Sequence, residues 1–149
     1  MIQTVEIHTP EGTCDSWVAQ PEGNGPWPAV IFCMDAVGPR PTLCAMAERL
    51  ASEGYLVLLP NLFYREKSAP IVRGIPSPIR AEDIPGVLKQ IMPLVERFDS
   101  SAALRDMKIL SDYLGQHPQV RQGKLGIFGY CMGGAMAIRT AATYPERFG

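Results

Sequence analysis

At 149 residues the chain suits a single domain, and a composition of 46% hydrophobic and 19% charged residues excludes disorder throughout. Lys plus Arg number 14 against 15 Asp plus Glu, and the net charge of −1 comes without a basic stripe, so neither nucleic acid nor an anionic membrane surface is expected as a partner. No apolar run is long enough to span a bilayer, and the opening MIQTVEIHTPEG lacks the cationic start and apolar run of a secretory signal.

Residues 3–8 and 13–19 are short, partly alternating runs joined by Pro10-Glu11-Gly12, which predicts a β-hairpin. A loop rich in Pro, Gly and Asn follows over 21–28. The unbroken apolar run 29–34 is the pattern of a strand buried on both faces of a parallel sheet, and Asp35 ends it. From Pro41 the spacing changes. Leu43, Met46, Ala47, Leu50 and Ala51 recur at helical intervals, Pro41 suits a first turn and Gly54 a C-terminal cap. A second buried-strand run, 55–59, closes a βαβ unit with a right-handed crossover.

Five prolines (Pro70, Pro76, Pro78, Pro85 and Pro93) punctuate the next segment, predicting a long loop with an irregular helix over 84–98. Ala103, Met107, Leu110 and Leu114 then return to helical spacing, with Asp99 or Ser100 as N-cap and Gly115 as the stop. After the His117-Pro118 turn, 125–128 is a short buried strand, and 135–143 is an Ala-rich helix. Strands and helices alternating after an opening hairpin define the α/β class. No repeat, low-complexity tract or linker divides the chain, so one domain over 1–149 is expected.

Cys14, Cys33, Cys44 and Cys131 sit at irregular spacing without CxxC, and two fall in apolar segments, as expected of reduced thiols in a cytoplasmic protein. Cys33 and Cys44 read as small buried hydrophobes, and Cys14 as part of an outer strand. Cys131 differs. It lies in GYCMGG (129–134), between the strand 125–128 and the helix that follows. In a nucleophile elbow the reactive residue occupies a strained turn, and small residues two before and two after it let strand and helix approach closely. Gly129 and Gly133 occupy those places. The turn also sets the side chain at a helix N-terminus, where free N–H groups favour a thiolate or an oxyanion. A Gly-rich βα turn of purely structural character would share the same string.

The elbow GYCMGG, the segment PAVIFCMDAVGPRP (28–41), the segment EGYLVLLPNLFYR (53–65) and the helix end YPERF (144–148) occur in the order, and with the residues, that resemble the dienelactone hydrolase family. The resemblance covers nearly the whole chain. Cys in the elbow is characteristic of that family, most α/β-hydrolases carrying Ser there. It implies the N-terminal part of an α/β-hydrolase fold and hydrolysis of a small ester or lactone through a Cys, His, Asp triad. Cys131 would then attack the carbonyl and form a thioester acyl-enzyme, which water releases. The oxyanion hole would use the backbone N–H groups of Met132 and Ala36.

Asp35 stands where well-known family members carry a Glu that contacts and helps activate the resting thiol. Here the acid is one methylene shorter, so the loop must come closer or a water must intervene; alternatively, Asp35 hydrogen-bonds backbone N–H groups of the loop it opens. Because the family's prototype substrate carries a carboxylate, Arg65 and Arg80, with Arg73, are candidates to hold one, beside the alternative of solvated loop residues. Tyr64 and Phe63 are candidates for the pocket wall, and Tyr130 for shaping the elbow without a catalytic role.

The triad acid and base normally follow the nucleophile, yet residues 132–149 contain neither Asp nor His. His8 and His117 read as surface residues. The expectation is of a chain truncated after the elbow helix, poorly soluble or swapped between copies, and without turnover by itself. Two other readings remain: a redox-responsive thiol protein, and a non-catalytic scaffold that keeps the fold. No metal cluster or GxxxxGK[ST] loop is present in the sequence, so no cofactor is expected.

Overall fold

The computed structural model describes all of residues 1–149. Two antiparallel strands open it, β1 (Ile2–Thr9) and β2 (Gly12–Ala19), in the register Thr9↔Gly12 to Ile2↔Ala19. Gly12 accepts the turn with φ 142°, a conformation an L side chain resists. Strand β3 (Ala29–Cys33) follows, then helix α1 (Pro41–Ser52) and strand β4 (Leu56–Pro60). Every residue of β3 and of β4 is buried, as their unbroken apolar runs require of strands covered on both faces.

Helix α1 begins on Pro41, whose missing N–H has no intrahelical partner in a first turn, and Gly54 follows its cap with φ 94°. Helix α2 (Ile84–Glu96), after a 3₁₀ turn at Ala81–Asp83, is regular where an irregular helix was expected. Two placements explain this. Pro85 falls in the first turn, and Pro93 sits on the exposed side above Lys89, so the carbonyl it leaves unbonded faces water while Val87, Ile91 and Leu94 keep their buried stripe.

Helix α3 (Ser100–Gly115) is capped by Asp99, whose carboxylate accepts the N–H groups of Ser101 at 2.8 Å and Ala102 at 3.0 Å. Strand β5 (Gly126–Gly129) leads through Tyr130 and Cys131 into helix α4 (Met132–Thr143). That helix starts three residues earlier than the Ala-rich stretch suggested, and so carries Gly133 and Gly134 within its first turn.

The sheet order is β1-β2-β4-β3-β5, with β3 parallel to both β4 and β5. From β3 the chain steps to β4 on one side and later crosses back to β5 on the other. Right-handed crossovers therefore send α1 to one face and α3 to the opposite one, where α3 packs on α4. Beside β5, Phe148 pairs in parallel with Leu125, and the Leu125 N–H donates to Arg147 O at 2.8 Å while its carbonyl accepts from Gly149 at 3.1 Å.

Candidate active site

Ligands of open α/β sheets bind beyond the carboxyl ends of the strands where the strand order reverses. Here that point is β3, and the loops that leave β3 and β5 meet there. The second loop is only two residues long. It turns the chain from strand to helix through Cys131, which has φ 55° and ψ −125° and is the chain's only non-Gly residue with positive φ. A bulky L residue is strained in this conformation by an amount on the order of 1–3 kcal/mol.

The strain is maintained by close packing. A Cβ on Gly133 would stand 2.2 Å from Cys33 O and 2.4 Å from Met34 O, and one on Gly129 would stand 2.5 Å from the Gly133 carbonyl carbon and 2.7 Å from Cys33 O. Only glycine lets α4 rest directly on the carbonyls at the end of β3. Beneath the elbow, the Phe32 and Phe128 rings stack at 4.4 Å between centroids, and Tyr130 stands edge-on to both at 6.2 Å. Tyr130 itself remains 55% exposed.

Cys131 is the exposed cysteine of the four. Burial pushes the thiols of Cys14 and Cys33 up to about 12 and that of Cys44 upward as well, which keeps all three protonated near neutrality. Met132 opens α4, so its N–H belongs to those a helix cannot bond internally.

The loop after β3 is organised by Asp35. Its Oδ1 accepts the Val37 N–H at 3.0 Å, its carbonyl accepts the Gly38 N–H at 3.0 Å, and Arg40 grips the carboxylate with Nη1 on Oδ1 at 2.7 Å and Nη2 on Oδ2 at 2.8 Å. Arg40 also donates to Gly38 O at 3.0 Å. Both carboxylate oxygens are therefore committed within their own loop, the arrangement weighed as the alternative to contact with the thiol. On the far side of Val37 lies a cleft of about 240 Å³ whose wall includes Arg40, Ile71, Val72, Ile75 and Ile79.

Other candidates lie elsewhere. Tyr64 and Arg65 follow β4 but turn toward the hairpin: the Tyr64 hydroxyl bonds Thr9 Oγ1 at 2.7 Å and Asp106 at 3.2 Å. Arg65 binds Asp106 through Nη1 at 2.6 Å and Nη2 at 2.9 Å, takes Glu11 on its other edge, and lies 4.6 Å over the Tyr64 ring. Burial pulls the Arg65 pKa down, but the bonds to Asp106 and Glu11 outweigh it and leave it raised. Phe63 is buried edge-on against Phe98 at 5.7 Å. Arg80 is a solvated residue with Glu82 3.9 Å away, and Arg73 is exposed.

Neither histidine approaches Cys131. His8 is on β1, four strand spacings from β5 or roughly 19 Å, and bonds Thr13 Oγ1 at 3.2 Å. His117 precedes β5, at the opposite end of the parallel strands, where its Nδ1 accepts the Gln119 N–H at 3.3 Å. The residues overlooked in the sequence are Arg40 and Asp106. Each left a signal: an Arg five residues after Asp35 across a Gly-Pro turn, and an acid between Ala103 and Leu110 on the apolar stripe of α3, where a charge needs a partner.

The model of the dienelactone hydrolase family matches residues 14–148. A carboxymethylenebutenolidase of Pseudomonas putida is 27% identical over 149 residues, covering 99% of this chain and 59% of the relative. Carboxymethylenebutenolidase 1 of Cupriavidus pinatubonensis is 27% identical over 115 residues, covering 77% of this chain and 45% of its own. The dienelactone hydrolase structure from Anabaena variabilis matches the fold with a TM-score of 0.65 at 21% identity, covering 99% of this chain and 60% of that one.

The chain spans about half the length of the curated relatives it matches. No helix is long and apolar enough to cross a membrane. With a mixed sheet ordered about β3, an elbow between β5 and α4, and a family match across residues 14–148, the α/β-hydrolase fold is established and the chain belongs to the dienelactone hydrolase family.

Proposed function

We propose that the protein hydrolyses a small ester or lactone, with Cys131 as the nucleophile. The observation that carries this reading is the backbone of Cys131: an exposed thiol held at φ 55° at the N-cap of a helix, after the strand beside the reversal point of the sheet. Glycine would meet the same φ without strain, so the thiol is held there at a conformational cost.

In the first step the Cys131 thiol gives its proton to solvent water and Sγ attacks the carbonyl carbon, whose oxygen becomes an oxyanion that accepts the N–H groups of Met132 and Ala36. Collapse of this intermediate breaks the C–O bond, the departing oxygen takes up a proton, and a thioester on Cys131 remains. Water then attacks the thioester, releasing the carboxylic acid and restoring the thiol.

Residues 132–149 hold no Asp or His, and both histidines lie away from the elbow, so acylation is the step these residues account for, and none of them serves as base for the water step. The test is stopped-flow release of p-nitrophenolate from p-nitrophenyl acetate by the protein and by Cys131→Ala. A burst approaching one equivalent, followed by slow or absent turnover and lost in the variant, supports the reading. Equal release by both proteins overturns it, and sulfenic acid formation at Cys131 without any burst would favour a redox thiol instead.

A further inference from the structure

We propose that Asp35 and Arg40 form one positioning clamp that presents the Ala36 N–H to the oxyanion, rather than an acid that activates the Cys131 thiol. The inference rests on Cys131 being the nucleophile. Its basis is the hydrogen-bond accounting of the loop after β3, because a backbone N–H without a protein acceptor is open to water or to a ligand. Val37 N–H goes to Asp35 Oδ1 and Gly38 N–H to Asp35 O, each at 3.0 Å. Ala36, between Asp35 and Val37 and only half-buried, donates to no acceptor in the protein.

Three contacts hold the loop in that form. Arg40 closes a two-pronged pair on Asp35 at 2.7 and 2.8 Å and bonds Gly38 O at 3.0 Å. Gly38 turns with φ 85° while Ile71 packs so closely that a Cβ on it would meet Ile71 Cγ1 at 2.2 Å. At the other end, the Cys33 and Met34 carbonyls press on Gly133 of α4. The loop is thereby fixed to the elbow on one side and to Arg40 on the other, and the Ala36 N–H, like that of Asp35 before it, is left without a protein acceptor.

Charge favours the same assignment. An unpaired carboxylate beside the reacting carbonyl would oppose the negative charge that develops on its oxygen. Arg40 neutralises Asp35 and leaves the N–H dipole of Ala36 as the loop's contribution. Asp35 is thus a positioning residue, acting through the backbone it organises, and Arg40 shares the role.

Two reactions of the same sulfur separate the possibilities. Acetylation by p-nitrophenyl acetate passes through an oxyanion, whereas alkylation by iodoacetamide does not and reports only on the thiolate. Asp35→Asn and Arg40→Gln are each expected to slow acetylation about 10-fold to 100-fold, less than the roughly 100-fold to 1000-fold of losing an oxyanion donor outright, since the donor is displaced and not removed. Alkylation and its pH profile should stay within about twofold in both. The double variant should be no slower than the slower single one, since the pair acts as a unit. Arg40→Lys should recover part of the rate.

Retained alkylation also shows that the elbow is folded, and if Asp35→Asn fails to fold the two Arg40 variants carry the comparison. Slower alkylation with a displaced pH profile in Asp35→Asn, together with faster alkylation in Arg40→Gln as the acid is freed, would overturn the clamp and make Asp35 the activator of the thiol. Acetylation at the native rate in both variants would overturn the clamp and leave Cys131 as nucleophile. No acetylation of Cys131 in the unaltered protein would sink the hydrolase reading itself, and the clamp with it.

Discussion

At the hairpin end of the sheet, Arg65 is engaged on both edges, by Asp106 and by Glu11, and the Tyr64 hydroxyl is shared between Thr9 and Asp106. At the β5 end, Cys131 stands exposed on a strained backbone, and Ala36 keeps an N–H that no protein atom accepts. Both regions are built from residues that follow strands of the sheet, and both contain polar or ionisable side chains. The first satisfies every charge and holds the hairpin to α3; the second leaves groups unsatisfied in a frame too tight to relax. Polar satisfaction is what a structural cluster requires, and strain with free donors is what the proposed reaction at Cys131 requires.

The largest effect that would sharpen this contrast is at the elbow. Gly133→Ala drives a methyl to within 2.2 Å of Cys33 O, against backbone that cannot rotate away. A loss of about 3 kcal/mol or more is expected, seen as a collapse of the soluble fraction or of the unfolding midpoint in denaturant. Near-native stability would mean that α4 is free to move off β3, and the strain at Cys131 would then have no support.

Next comes the hairpin cluster. Arg65→Met leaves Asp106, only 5% exposed, without its cation. Breaking a fully buried pair costs about 3–5 kcal/mol, and because Arg65 is itself 22% exposed the expected loss is nearer about 2 kcal/mol. Arg65→Met combined with Asp106→Leu should recover much of it. Cys131 alkylation should be unchanged in both. A change there would join the two regions that the structure keeps apart.

The buried thiols give a pH dependence common to both regions. Cys14, in the hairpin, and Cys33, in β3 below the elbow, have folded pKa values raised from 9.0 to about 12 by burial. Their contribution to stability is fully present below pH 9 and is lost as the pH rises from there toward 12, since the unfolded chain releases these protons first. The slope is about 1.4 kcal/mol per pH unit for each thiol, and Cys14→Ala or Cys33→Ala should remove one share. Below that range, iodoacetamide should modify Cys131 rapidly and the two buried thiols only on unfolding.

The smallest effect is a gain. Cys131→Gly removes a side chain from φ 55° and should raise stability by about 1 kcal/mol in urea unfolding while abolishing acylation. A loss of stability would show that Cys131 packs as a structural residue.

Much of the fold was legible because its signals are local. Unbroken apolar runs marked β3 and β4, Pro41 and Gly54 bracketed α1, and the α3 cap was narrowed to Asp99 or Ser100, of which the structure uses Asp99. The elbow was legible for a related reason: Gly129, Cys131 and Gly133 lie within five residues, and the steric demand on each can be stated without tertiary information.

What escaped depends on contacts between distant segments or on loop conformation. Arg65 and Asp106 are 41 residues apart, so Arg65 read as a free cation near a pocket when it is half of a cluster bridging Glu11 and α3. The pairing of Asp35 with Arg40 requires the left-handed turn at Gly38 under Ile71, which no spacing rule reports. Regularity of α2 depends on which side of the helix Pro93 occupies. That is decided by what the opposite face packs against.

The most direct test of the central claim is to locate the acyl group. The protein would be mixed with p-nitrophenyl acetate, quenched in acid before turnover, digested and mapped by mass spectrometry, with hydroxylamine used to cleave thioesters. The account predicts one hydroxylamine-labile acetyl group on the peptide that carries Cys131, and none on the peptides of Cys14, Cys33 or Cys44. Acetylation elsewhere, or a peptide of Cys131 that remains unmodified throughout the burst, would contradict it.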